Sequence, residues 1–302
     1  ETANTLKFKY ENIAGAWSTG GNLNSGRTAS AAAGTQTAAL AFGGNPPNPS
    51  VALTESYDGT SWTEVNDLNT ARRELAGAGT QTSALAFGGF NTPPDTTQAQ
   101  TESWNGSSWT EVADLNTARL QLAGGGTDNT AALAFGGYII PAVTAVTESW
   151  NGSSWTEVAD LNLARRLISG DGTTTSSLAF GGWTPYYAQT ESWNGSSWTE
   201  VADLNTARYA IAGAGADNTS SLASGGYSPP SGAESTLTEL WNGSSWTETT
   251  DLSTARGYSS ATGTATAALC IGGPGTAVEE WNGGLPVGAW STGGALNTAA
   301  QG

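Results

Sequence analysis

Carboxylates are the residues of this chain best able to do chemistry: among 302 residues there are 26 Asp and Glu, 10 Lys and Arg, and no histidine. Two carboxylates on one rim suffice for glycoside hydrolysis, one as acid and the other as base or nucleophile. Most of them, however, recur at equivalent positions of a repeat, and equivalent copies point to structure. The exceptions are Asp95, Asp128, Asp171, Asp217 and Glu234. Asp128-Asn129, Gly170-Asp171-Gly172 and Asp217-Asn218 read as turns between the first and second strands of their modules, where Asp and Asn satisfy nearby backbone. Such oxygens also suit calcium. Lack of histidine removes Ser–His and Cys–His nucleophile systems. The single cysteine, Cys270, permits neither an intrachain disulfide framework nor a Cys-rich zinc site. The expectation is a protein that is not an enzyme and uses no cofactor.

Six of the ten cations (Arg27, Arg72, Arg119, Arg165, Arg208 and Arg256) share one repeat position, leaving Lys7, Lys9, Arg73 and Arg166. With a net charge of −16, no basic patch can be assembled, so nucleic acid and anionic membrane surfaces are poor partners. No apolar run approaches the roughly 20 residues of a membrane-spanning helix, and no membrane insertion is expected. The first residue is Glu rather than Met, which implies processing or a longer polypeptide; no signal-peptide pattern is visible.

The stretch 102–119, ESWNGSSWTEVADLNTAR, returns almost unchanged at 148–165 and 191–208, with looser copies at 55–72 and 239–256. The repeated Arg comes about every 45 residues, the length of a four-strand propeller blade. Within a module, a small-residue strand such as 75–79 suits the crowded axis, and a second strand, 83–87, alternates Leu85 and Phe87 with Ala84 and Ala86. A double Gly and a variable connection follow. The third strand, 100–104, turns through Asn105-Gly106 into a fourth, 108–112. Asn-Gly is a strong hairpin signal because both residues tolerate positive φ. Nothing has helical periodicity, so the class is all-β.

A double Gly ending a hydrophobic strand, an aromatic, a turn, a Trp five residues later and a downstream Arg resembles the kelch repeat; Tyr57–Trp62 with Arg72 is the most similar module. The resemblance covers about residues 16–290 and implies a β-propeller of four-stranded antiparallel kelch-like blades. The near-identical WNGSSWTEV wording is also similar to kelch-like repeat proteins of bacteriophage virions, which implies a virion-surface or extracellular location. The copper oxidase chemistry of one kelch lineage needs histidine and does not carry over.

Six double glycines predict six blades, whereas seven Trp residues (Trp17, Trp62, Trp109, Trp155, Trp198, Trp246 and Trp290) match the fourth strand. GAWSTGG occurs at both 15–21 and 288–294, and one outer slot cannot hold both copies. Six blades with one terminal strand displaced are favoured; seven, with residues 1–26 supplying part of a blade, are the alternative. Residues 1–26 thus read as entering strands of the domain formed by 27–302.

Twelve of the thirteen Trp residues fall at repeated strand positions and are read as inter-blade core; Trp183 does not. The repeated Arg, and Glu55, Glu102, Glu148, Glu191, Glu239 and Glu279, occur once per module and are read as framework pairs. Variation is concentrated between second and third strands. Those connections carry Phe90, Tyr138, Trp183, Tyr186, Tyr187 and Tyr227 among prolines. Residues after the repeated Arg, including Arg73, Tyr209 and Tyr258, vary too and should lie near the same rim. Aromatics on stiff loops are low-entropy contacts. The functional expectation is recognition of a protein or glycan through these loops, with other virion proteins among possible partners; a structural spacer in a larger assembly is the alternative.

Overall fold

The computed structural model describes residues 15–46, 49–184, 186–273 and 275–283. β-Branched and aromatic residues alternate with small ones between Gly, Asn and Pro turns, and each module forms one antiparallel sheet. In blade 2 the strands run Ala76–Thr80, Ser83–Phe87, Thr101–Trp104 and Trp109–Val112 from the axis outward. Phe87 pairs with Ala76 on one side and Thr101 on the other, and Trp104 faces Trp109. Blades 1, 3, 4 and 5 repeat this order, their inner strands being Ala31–Thr35, Ala123–Asp128, Ser169–Gly172 and Ala212–Asp217.

Blade 6 contains Ser260–Thr264, Ala267–Ile271 and Val278–Asn282, and its outermost strand is Ala16–Thr19 from the opposite end of the chain. Ala16 pairs with Asn282 and Thr19 with Glu279. Inner strands neighbour one another in a closed cycle, so the ring has six blades. The seven-blade alternative is corrected: the N-terminal strand completes blade 6 and starts no further one. The other GAWSTGG copy with Trp290, and residues 1–14 of the expected entering strands, lie outside the described residues.

Two of the contacts that hold neighbouring blades together are made by the outer-strand Trp. Second-strand Phe meets outer-strand Trp of the next blade edge-on, as in Phe87–Trp155 at 5.0 Å between centroids. That Trp also donates through Nε1 to a third-strand Thr of the preceding blade, for example Trp155 to Thr101 Oγ1 at 3.0 Å and Trp109 to Thr54 Oγ1 at 3.1 Å. Trp17 makes the equivalent bond to Thr238 Oγ1 at 3.1 Å, so the closing strand uses the same chemistry as a continuous one. Blade 6 has Val278 where other blades have this Thr, and Trp62 Nε1 is buried without a partner.

Inside each blade a buried ion pair ties the connection before the inner strand to the third strand. The six pairs are Arg27–Glu55, Arg72–Glu102, Arg119–Glu148, Arg165–Glu191, Arg208–Glu239 and Arg256–Glu279, at 2.6–3.2 Å. The other carboxylate oxygen accepts from the connection: Glu102 Oε2 takes both the N–H and Nδ2 of Asn69, at 2.7 and 2.8 Å. Asn24, Asn116, Asn162 and Asn205 do the same, and Ser253 supplies its N–H in blade 6. Burial alone lowers the affinity of the buried guanidiniums for their proton, and the adjacent carboxylates oppose this.

The expected turn position of Asp171 is also corrected. It lies within the inner strand of blade 4, buried against blade 5, where its carboxyl Oδ2 accepts from Ser221 Oγ at 2.5 Å. The pairs Ala33–Ala84 and Ala78–Ala132 occupy the corresponding interfaces of other blades. A GDG sequence looks like a turn, but here backbone pairing with Leu178 extends it. Asp128 and Asp217 end their inner strands, and each accepts from the main chain and hydroxyl of the Thr two residues on. Their neighbours Asn129 and Asn218 bridge to the preceding blade through Ser103 and Ser192.

Candidate functional site

Connections between second and third strands and those entering each inner strand meet on one face of the ring. Main-chain bridges join Arg73 to Phe90, Leu120 to Tyr138, Arg166 to Trp183, Tyr209 to Tyr227, and Thr28 to Asn45. Three of the loops form short hairpins of their own: 90–91 with 96–97, 138–139 with 142–143, and 227–228 with 233–234. A rigid scaffold thus presents the variable residues.

At the centre of this face is a belt that the side-chain pattern gave no reason to expect. Ala29, Glu74, Gln121, Leu167, Ala210 and Tyr258, one per blade, all have φ between 50° and 57°. None is glycine, and a left-handed backbone costs each on the order of 1 kcal/mol. The geometry turns every N–H toward the carbonyl of its counterpart in the preceding blade. Glu74 donates to Ala29, Gln121 to Glu74, Leu167 to Gln121, Ala210 to Leu167, Tyr258 to Ala210 and Ala29 to Tyr258, at 2.8–3.3 Å. The cycle closes on itself and frames the mouth of the central channel. A cavity of about 80 Å³ opens there, lined by Ser30, Glu74, Gln121, Leu167, Tyr258 and their neighbours.

Around the belt the aromatics form a continuous arc. Trp183 meets Tyr186 at 4.9 Å and Tyr209 at 4.7 Å, both edge-on. Tyr209 stacks on Tyr227 at 5.1 Å and 15°, and Tyr227 meets Tyr258 at 5.7 Å. The arc requires one glycine: a Cβ on Gly257 would lie 2.0 Å from the Tyr227 ring. Tyr227 donates to Glu234 at 3.1 Å. All five rings remain partly exposed.

The cations beside the arc are Arg73 and Arg166, the only ones among the described residues outside the framework pairs. Arg166 lies 4.4 Å over the Tyr138 ring and Arg73 lies 5.6 Å over Phe90. Glu74 sits between them in charge terms. Burial raises its pKa, while Arg73, a hydrogen bond from Gln121 Nε2 at 3.1 Å and Arg166 pull it down. Burial, with Glu74 and Tyr209 adding to it, pushes the Tyr258 hydroxyl up to about 12, and burial also raises Tyr209 and Tyr227. These phenols stay protonated across the physiological range and can donate hydrogen bonds. Gln121 Oε1 is buried with no protein partner.

Of the residues singled out by sequence, Phe90, Tyr138, Trp183, Tyr186, Tyr227, Arg73, Tyr209 and Tyr258 converge on this face. Tyr187 lies on the same loop as Tyr186, where its main chain holds the connection: its N–H donates to Gly182 O at 3.0 Å and its carbonyl accepts from Arg208 N at 3.2 Å, as Gln98 does with Gly89 and Arg119. Glu74 and Gln121, two of the variable residues after the repeated Arg that were expected near this rim, line the mouth. Their position directly after Thr-Ala-Arg-X was the available signal. Among residues lining the mouth, Glu74 carries the one carboxylate, and no group of three or more His, Cys, Asp or Glu side chains is placed to hold a metal among the described residues. Neither a protein-family model nor a curated protein matches the sequence.

Proposed function

We propose that this chain is a kelch-like recognition propeller that binds a protein or glycan partner, without catalysis, through the face carrying the aromatic arc. The observation that supports this is the concentration on one face of the ring of five aromatics in serial contact and of both non-framework arginines, each over an aromatic ring. Repeated framework side chains point into blades, and those that vary between modules gather here. Function is commonly carried on loops held by a rigid scaffold. The similarity of the WNGSSWTEV wording to virion repeat proteins supports a virion-surface or extracellular setting.

The test is an array of printed glycans and purified surface proteins, probed with wild type and with Trp183→Ala/Tyr186→Ala/Tyr209→Ala. A control changes Glu64→Lys and Glu111→Lys on exposed outer strands. Binding should vanish in the triple variant and persist in the control, with both unfolding at the wild-type temperature. Binding that survives the triple change sinks the proposal.

A further inference from the structure

We infer that the channel mouth is a saccharide site, seating a terminal pyranose of an uncharged glycan on the arc with its hydroxyl groups turned to the belt. This rests on the recognition reading above and names the ligand class for the same face. The first argument is shape. The rings lean on one another at 4.7–5.7 Å and each stays partly exposed, so they brace one another side by side around the belt. Protein hot spots are built instead on anchors that fill pockets. Partly exposed Trp and Tyr present an apolar face beside a polar tip, which matches the C–H face and hydroxyl edge of a sugar ring.

Polar complementarity is the second argument. Glu74 and Gln121 are already joined at 3.1 Å, and Gln121 Oε1 is a buried acceptor without a protein partner. A carboxylate beside an amide can take adjacent hydroxyls, one accepting from two donors and the other both donating and accepting. The Tyr258 phenol supplies a further donor. The cavity they line, about 80 Å³, has room for part of one ring and its substituent.

Charge is the third argument, and it separates neutral from acidic sugars. Arg73 and Arg166 are spread over aromatic rings and opposed by Glu74. The chain as a whole carries −16, a field that opposes an approaching anion and leaves an uncharged glycan unaffected.

The experiment is isothermal titration of the protein with methyl glycosides of glucose, galactose, mannose, N-acetylglucosamine and N-acetylgalactosamine, alongside sialyllactose and oligogalacturonate. At least one neutral glycoside should bind saturably, with affinity little changed between about 50 and about 500 mM salt. Trp183→Ala, Tyr209→Ala and Gln121→Ala should each weaken it about tenfold or more, and Trp183→Phe should retain part of the affinity. Thermal unfolding of each variant checks that the ring is intact. The inference is overturned if no neutral glycoside binds, if only the acidic sugars bind with strong salt dependence, or if binding ignores all three changes. Should sugars fail while an arrayed protein binds wild type and not the triple variant, the saccharide assignment falls and the recognition reading stands.

Discussion

Asp171 and Trp62 are two buried positions where one module breaks the pattern of contacts kept by the others, and each makes a stability prediction. Burial holds the Asp171 carboxyl at about 8 against an ordinary 3.8, partly offset by the bond from Ser221. The folded protein therefore keeps a proton that the unfolded chain releases near pH 3.8. That contribution is fully present below the unfolded value and is lost as pH rises to about 8, with a slope of up to about 1.4 kcal/mol per pH unit. Denaturant unfolding from pH 4 to 8 should show the fall, and Asp171→Asn should remove it. Replacing both partners, Asp171→Ala with Ser221→Ala, restores the Ala–Ala contact of blades 1 and 2 and should raise stability at pH 8. For Trp62, Val278→Thr should supply the missing acceptor and add about 1 kcal/mol, read as a higher melting temperature; no gain would mean that Nε1 is satisfied in solution. Sequence composition alone misled at Asp171, because flanking glycines suggest a turn while pairing to the second strand decides otherwise. It was equally silent on the belt: Ala, Glu, Gln, Leu, Ala and Tyr share no side-chain signal for positive φ.

The smallest independent structural device above the residue is the Arg–Glu–Asn node. The Arg and Glu were legible because each returns once per module, whereas the Asn was hidden in a Leu-Asn segment that reads equally well as a turn. Removing one partner leaves the other charge buried and uncompensated. Glu148→Gln should therefore cost about 3–5 kcal/mol in denaturant unfolding, with partner binding unchanged in the protein that remains folded. A loss of binding without loss of stability would reassign these carboxylates to ligand contact. The closing strand Ala16–Thr19 makes a separate prediction. Trp17 packs on Trp281 at 5.3 Å and bonds to Thr238. Trp17→Ala should destabilise by about 2–4 kcal/mol and increase amide exchange first in Val278–Asn282, the strand it covers. Uniform exchange across all blades would argue that the seam is no weaker than the other interfaces.

For the whole molecule, period and strand pattern sufficed for an all-β propeller, because each blade depends on local alternation and on contacts to its neighbours. Blade number was harder to read, since identical strings at 15–21 and 288–294 fit one slot equally well and only pairing to Val278–Asn282 distinguishes them. The site was half visible: uneven aromatics marked the loops, but which rings touch depends on how entering connections and loops bridge across blades. That is why sequence alone did not show that Tyr186 touches both Trp183 and Tyr209. In the proposed function, framework and recognition are separated and one face of the ring carries the binding. The most direct test is hydrogen–deuterium exchange of the protein with and without its best-binding array probe. Protection should be confined to the loops around Phe90, Tyr138, Trp183 and Tyr227 and to the belt from Ala29 to Tyr258. Protection on the outer strands, or at the turns of the opposite face, with the mouth unchanged, would contradict it.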